Sequence, residues 1–229
     1  MKVLIFGATG MVGQGTLREC LLDAGVTRVV TVGRAATGQK HPRLRELVAR
    51  DLYDLSPLSS QLEGFDACFF TLGTTAAGKT EAEYSRVTYD LTLSIARTLL
   101  PLNPAMTFIY VSGSGTDSTE RGRVMWARVK GKTENALLAL GFKGAYMFRP
   151  GLIVPMHGIT SRTTLYRVLY TIMSPIVPLI RAAFPNSVTT TERVGRAMLA
   201  VARNGYSTPL LGPSDINRAA LTGDAATAR

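Results

Sequence analysis

Two cysteines, two histidines and one tryptophan are all that 229 residues carry of these types, and each scarcity closes off a class of function. Cys20 and Cys68 fall in a helix candidate and an apolar strand candidate, so they read as free core thiols and not as a disulfide frame. With no secretory leader ahead of a strand that opens at residue 2, that usage predicts a cytoplasmic protein. His41 and His157 stand far apart with no cysteine nearby, so metal-ligand spacing is absent and no metal is expected. Acids are scarce too: 16 Asp and Glu against 26 Lys and Arg leave a net charge of +10. The basic surplus is spread along the chain and not gathered with aromatics into a recognition helix, which argues against a nucleic-acid partner. Repeats and low-complexity linkers are missing, and 46% hydrophobic content suffices for one α/β domain over residues 1–229. The apolar stretch at 164–184 is interrupted by Arg167, Pro175, Pro178 and Arg181, leaving no integral membrane span. It is expected instead to form a substrate lid, within lid and C-terminal elements at 151–215, or a surface for a homodimer or protein partner, with a contact to a membrane surface as the lesser alternative.

What the chain does have is concentrated at its start. Val3, Leu4, Ile5 and Phe6 make an unbroken apolar run suited to a strand buried on both faces, and Gly7, Gly10 and Gly13 follow at intervals of three. Gly7 permits a tight turn, Gly10 lets backbone approach a pyrophosphate, and Gly13 allows the next helix to pack on the strand. Thr9, Met11 and Val12 complete the turn and the helix start, whose free N–H groups face an anion. Strand followed by glycine turn and helix is the context that a dinucleotide-binding motif requires.

Further strands are expected at 28–33, 46–50, 66–72, 105–112 and 144–149, and helices near 11–23, 80–100, 122–141, 159–173 and 190–203. Such alternation predicts a doubly wound parallel sheet with helices on both faces, a Rossmann-type fold. Thr80 and Glu83 form a capping box for the long helix, which carries Tyr84, Val87, Leu91 and Ile95 on one side. The last ten or so residues are expected to fray.

An acid at the end of the second strand ordinarily bonds the adenosine ribose of NAD. Here the chain reads Val32-Gly33-Arg34, with six basic residues between Arg28 and Arg50 (Arg28, Arg34, Lys40, Arg43, Arg45, Arg50) against the single acid Glu46. No carboxylate repels a 2'-phosphate and a guanidinium fork is offered to it, so NADP(H) is the favoured cofactor, the alternative being an ordinary loop arginine at position 34. Asp51, after the third strand, reads equally as a group within reach of the adenine or as a surface acid.

Gly7-Ala-Thr-Gly10-x-x-Gly13, Arg34, Asp51-Leu52, Phe69-Phe-Thr-Leu-Gly73-Thr-Thr75, Tyr110-Val-Ser-Gly-Ser114, Val129-Lys-Gly-Lys-Thr-Glu134 and Arg149-Pro-Gly151 together span most of the chain. They resemble the short-chain dehydrogenase/reductase superfamily, and within it the atypical NmrA-like and Tat-interacting-protein-like oxidoreductases, related to NAD-dependent epimerases and dehydratases. The resemblance implies a cofactor lying across the C-terminal strand ends. Leu72, Gly73 and Thr74 would then line its adenosine and ribose side, and Pro150, Gly151, Leu152 and Ile153 would lie beside the nicotinamide carboxamide. Active members use a Tyr-x-x-x-Lys pair on one helix face with a serine from the fifth strand's end. Lys130 matches the lysine, which would also hold the cofactor ribose, and Ser112 matches the serine, with Ser114 as substitute. Trp126 stands at the tyrosine position, and no tyrosine lies between Tyr110 and Tyr146. An indole N–H donates a hydrogen bond but exchanges no proton near neutral pH, so the usual acid/base group is missing. Trp126 is either a core aromatic or a ring stacked over nicotinamide or substrate.

Three function classes follow. The first is an NADP(H)-dependent oxidoreductase passing hydride to a small, quinone-like acceptor whose product oxygens take protons from water. The second is a non-catalytic NADP(H)-binding redox sensor. The third, a sugar-nucleotide epimerase or dehydratase, suffers most from the missing tyrosine and from the short chain after Gly151. A serine hydrolase is poorly supported, because Ser112-Gly-Ser-Gly115 is not a G-x-S-x-G elbow.

Overall fold

The computed structural model describes residues 1–159 and 187–227. Lys2–Phe6 (β1) leads through the glycine turn into Met11–Leu22 (α1), then Arg28–Gly33 (β2), Leu44–Val48 (β3) and Ala67–Phe70 (β4). Glu81–Ser85 (α2), a π-helical turn at Arg86–Asp90 and Leu91–Leu102 (α3) run on as one long helical stretch. Thr107–Val111 (β5), Met125–Ala139 (α4), Gly144–Phe148 (β6) and Leu152–Val154 (β7) follow. Beyond residue 186 come Val188–Thr190 (β8), Thr191–Asn204 (α5), Leu210–Leu211 (β9) and Pro213–Thr227 (α6).

Seven strands form one sheet in the order β3-β2-β1-β4-β5-β6-β9, every pair parallel, and β7 pairs with β8 in a separate parallel ladder. The strand order reverses between β1 and β4, so a crevice opens there at the C-terminal ends of both. Side-chain alternation along β1 divides the core. Val3 and Ile5 join Leu17 and Cys20 of α1 with Val194, Met198 and Val201 of α5, while Leu4 and Phe6 join Ile95 and Leu99 of α3 with Leu137 of α4. Both cysteines are free and fully buried, as core thiols should be.

The capping box forms as the sequence requires: Thr80 Oγ1 accepts from Glu83 N at 3.3 Å, and the Glu83 carboxylate accepts from Thr80 N at 2.8 Å. Tyr84, Leu91 and Ile95 are buried on the face expected of them.

Several expectations are corrected. β3 begins two residues before the expected 46, because Val29 pairs with Leu44 and Gly33 with Val48. An edge strand is bonded on one side only, and its register to β2, not its own hydrophobicity, sets its ends. Strands β7, β8 and β9 have two or three residues each, too few for any period to show. The last helix, α6, is anchored where Ile216, Ala219 and Ala220 bury into the core beside Met198 and Val201. The helix expected at 159–173 and the apolar lid or partner segment at 164–184 lie outside the described residues, apart from Ile159, which is in a loop. No helix among the described residues is long and apolar enough to cross a membrane.

Candidate functional site

At the β1–β4 switch point a cavity of about 520 Å³ is lined by Gly7, Ala8, Thr9, Gly10, Met11, Arg34, Leu52, Leu72 and Gly73, together with the end of β2 and Thr71. The glycine turn shapes its floor. Gly7 has φ +85°, and a Cβ on it would lie 2.5 Å from the Leu72 backbone nitrogen. A Cβ on Gly13 would come within 2.1 Å of the Gly7 carbonyl oxygen, so helix and turn meet at a distance only glycine allows. Gly10 differs: its added Cβ meets only the Gly7 carbonyl oxygen, at 3.3 Å, and the rest of that direction is open. Gly10 caps α1 without a side-chain hydrogen bond, and the first turn holds no acid. The leading N–H groups of the helix therefore lack intrahelical partners and carry the positive end of its dipole toward the cavity. Val12 and Gly13 belong to this helix start without lining the cavity.

The basic segment after β2 resolves into separate jobs. Arg43 donates to the carbonyl oxygens of Leu21, Asp23 and Val26, satisfying the C-terminal end of α1. Arg28 lies over the Phe65 ring and Arg45 donates to Gln61. Arg34 alone of the six lines the cavity, exposed and with no hydrogen bond or ion pair among the described residues. The lone acid, Glu46, accepts from Thr37 N at 2.6 Å, Gly38 N at 3.2 Å and Thr31 Oγ1 at 3.4 Å. Thr37 itself lines the cavity, as do Thr31 and Ala35, and so do Ala8, Val32, Gly33 and Thr71, which the sequence motifs contain without a role assigned to them. A reading that took the whole of each C-terminal strand end would have found most of them. Asp51 is corrected: it is exposed, does not line the cavity, and accepts from Tyr53 N at 2.8 Å within its own turn. A short acid two residues from a free N–H closes that turn at little cost.

A second group gathers at the end of β5. Lys130 Nζ donates to the Ser112 backbone carbonyl. Part of its side chain reaches solvent, but the ammonium end is buried, and that desolvation pulls its pKa down to about 8 against the opposing field of Glu134. Ser112 is buried and its hydroxyl is directed to Glu134, with the Phe148 carbonyl oxygen at 3.1 Å. The role of holding a substrate carbonyl is thus not open to that hydroxyl as placed here, since a buried carboxylate is the stronger acceptor. Ser114 is exposed, and its backbone N–H donates to Pro150 O at 2.9 Å. Glu134 is fully buried, and its carboxylate is held by the Arg149 guanidinium, whose Nη2 also reaches Ser118 Oγ at 2.5 Å. Trp126 is partly exposed and outside both apolar cores, its ring edge 3.4 Å from where a Cβ on Gly115 would stand. It is therefore no core aromatic. Thr74, Pro150, Gly151, Leu152 and Ile153 do not line the switch-point cavity; the last four carry the chain from β6 into β7 beside Ser112 and Ser114.

The loop before α4 is clamped to that helix. A Cβ on Gly131 would stand 1.7 Å from the Asp117 carbonyl oxygen, and Asp117 Oδ2 accepts from Gly122 N at 2.6 Å. Gly131→Val is expected to push loop and helix apart, lowering stability by several kcal/mol and releasing Lys130 from Ser112. Urea unfolding checks the first effect, and an unchanged midpoint would contradict the packing described.

Both histidines, distant in sequence, line one further cavity of about 330 Å³ beside α1, with Arg18, Leu21 and Leu22. His157 Nε2 lies 2.9 Å from Glu192, whose carboxyl is held below its usual range chiefly by that hydrogen bond. Among the described residues no group of three potential metal ligands is gathered.

Comparison with known proteins agrees with this architecture. Residues 3–118 match the model of the NAD dependent epimerase/dehydratase family. Protein fmp52, mitochondrial, of Emericella nidulans is 33% identical over 159 residues, which is 66% of this chain and 66% of that protein. Protein fmp52-1, mitochondrial, of Aspergillus terreus is 32% identical over 158 residues, with the same shares. The chain thus matches about two thirds of the length of these curated relatives. Among solved structures, a short chain dehydrogenase/reductase family oxidoreductase from Burkholderia thailandensis superposes with a TM-score of 0.67 at 17% identity, covering 100% of this chain and 97% of that one. The Bordetella bronchiseptica enzyme WbmF, in complex with NAD+, gives 0.62 at 17% identity over 99% of this chain and 78% of its own. The names of the curated relatives overturn the expectation of a cytoplasmic protein. Buried thiols and an early strand report packing and redox state, and neither encodes a compartment.

Proposed function

From a chain that belongs to the NAD dependent epimerase/dehydratase family, within the short-chain dehydrogenase/reductase-like Rossmann superfamily, we propose an oxidoreductase that takes NADP(H) and reduces a small, quinone-like acceptor. The observation that carries this reading is the open space at Gly10 beside uncapped helix N–H groups, with Arg34 free at the far side of the same cavity. These residues fit a dinucleotide. The α1 amides would take the pyrophosphate, Leu72 and Gly73 the adenosine side, and Arg34 the 2'-phosphate, with the Glu46 carboxylate already engaged by Thr31, Thr37 and Gly38. The reduced nicotinamide would supply hydride. Lys130 would hold the ribose near it, and Trp126, on the same face of α4, would give the acceptor an apolar wall. Reactions at a sugar hydroxyl lose the phenol they ordinarily use, because an indole stands at position 126.

Two measurements test the reading. Purified protein offered NADPH with a panel of quinones and carbonyl compounds is expected to oxidise it; tight binding without turnover would mark a sensor instead. By calorimetry, NADPH is expected to bind about ten-fold to a hundred-fold more tightly than NADH, and Arg34→Ala to narrow that gap, as loss of a charge-assisted phosphate bond of roughly 1.5 to 3 kcal/mol requires. Equal affinities in the wild type would sink the assignment of Arg34.

A further inference from the structure

Glu134 follows Lys130 by one helical turn, the spacing at which a carboxylate and an ammonium ordinarily pair. They do not pair here, because Arg149 reaches both carboxylate oxygens and the Ser112 hydroxyl donates to one of them. The Lys130 ammonium is left with one hydrogen-bond partner among the described residues, the Ser112 carbonyl oxygen. An ammonium has three N–H donors, so two remain uncommitted at the end of β5, one turn from Trp126. The other charged groups of α4 near it are turned elsewhere: Arg128 to Glu81 at 2.6 Å, and Lys132 over the Tyr89 ring at 4.5 Å. Tyr110, inside β5, is buried and its phenol is pushed far above its ordinary range by desolvation, which removes it as a proton carrier.

We propose that Lys130 is the proton donor to the acceptor oxygen, filling the place that Trp126 cannot. This inference rests on the oxidoreductase reading and widens its acceptors from quinones to simple aldehydes and ketones. The step balances. The carbonyl carbon of the acceptor receives hydride from the reduced nicotinamide, the C=O π pair moves onto oxygen, and an N–H proton of Lys130 passes to that oxygen. The products are an alcohol, oxidised cofactor and a neutral amine, which regains its proton from water. Two free N–H groups allow one bond to a ribose hydroxyl and one to the acceptor at once. Burial keeps ammonium and amine both populated close to neutral pH, the condition under which a general acid is most effective.

The test compares wild type with Lys130→Arg, which keeps the charge and the donors but releases no proton in this range. In the cofactor-free protein, the rate of Lys130 acetylation by acetic anhydride, followed by peptide mass spectrometry, is expected to rise with a midpoint near pH 8. NADPH affinity of Lys130→Arg is read by fluorescence titration, and all rates are compared at saturating cofactor so that any loss of ribose binding is separated from the proton step. NADPH-dependent reduction of an aromatic aldehyde is expected to fall about ten-fold per pH unit above the labelling midpoint, and to drop by about a hundred-fold or more in the variant. Three results overturn the proposal alone while leaving the oxidoreductase reading in place: a labelling midpoint near that of exposed lysines, an aldehyde rate flat across pH 7 to 10 in the wild type, or an undiminished rate in Lys130→Arg. Failure of the wild type to bind NADPH, or to oxidise it with any quinone or aldehyde, overturns the oxidoreductase reading and this inference with it.

Discussion

Gly10→Val is expected to reduce NADPH affinity by about a hundred-fold or more, some 2.7 kcal/mol, while the cofactor-free protein unfolds at nearly the wild-type temperature. The separation of the two effects comes from what a side chain there would meet. Toward the protein it finds only the Gly7 carbonyl oxygen at 3.3 Å, a contact relieved by a small adjustment, whereas its remaining volume projects into the cavity. Gly13→Val supplies the contrast, because a Cβ 2.1 Å from the Gly7 carbonyl oxygen forces helix and turn apart and should cost stability even with no ligand present. Calorimetric titration and thermal unfolding of both variants check the pair. Normal NADPH affinity in Gly10→Val would place the dinucleotide elsewhere.

Arg149→Met is expected to be the most destabilising single change among the polar groups of the site. Glu134 has no exposed surface, and removing the guanidinium leaves a buried carboxylate without its ion-pair partner, holding only the Ser112 hydroxyl and the more distant field of Lys130. Breaking such a pair from one side costs about 3 to 5 kcal/mol. For a domain of this size that corresponds to a fall in melting temperature of about 6 to 20 °C. The double variant Glu134→Gln/Arg149→Met removes the orphaned charge while keeping an amide for the Ser112 hydroxyl, and should regain most of the loss. Equal destabilisation in the single and double variants would show that Arg149 acts through packing and not through charge.

The pair also explains why the end of β5 was harder to read than the end of β1. In the glycine turn every functional requirement is local: three glycines within seven residues, each needed for a contact inside the same strand-turn-helix unit. The cluster of Ser112, Lys130, Glu134 and Arg149 joins a strand end, two turns of one helix and the exit of the next strand. Sequence spacing put Trp126 and Lys130 on one face of a helix, and both lie in α4. It did not tell that Arg149 and the Ser112 hydroxyl would take the Glu134 carboxylate, which leaves the ammonium unpaired. In the same way the run of basic residues from Arg28 to Arg50 was visible as composition, but its division into a helix-capping Arg43, a ring-stacked Arg28 and a cavity-lining Arg34 depends on which carbonyls and rings the fold brings near each.

The sequence by itself determined the parallel α/β sheet, the turn at Gly7 to Gly13, the capping box at Thr80 and the family of the chain. These follow from period, glycine spacing and apolar runs, which act between residues a few positions apart. Only the tertiary structure decided the register of the edge strand β3, the burial of α6, the exclusion of Asp51 from the cavity, the position of Trp126 outside both cores and the protonation environment of Lys130. Each of these is set by long-range packing and by the dielectric around a group, and neither quantity is written in the neighbours of a residue along the chain.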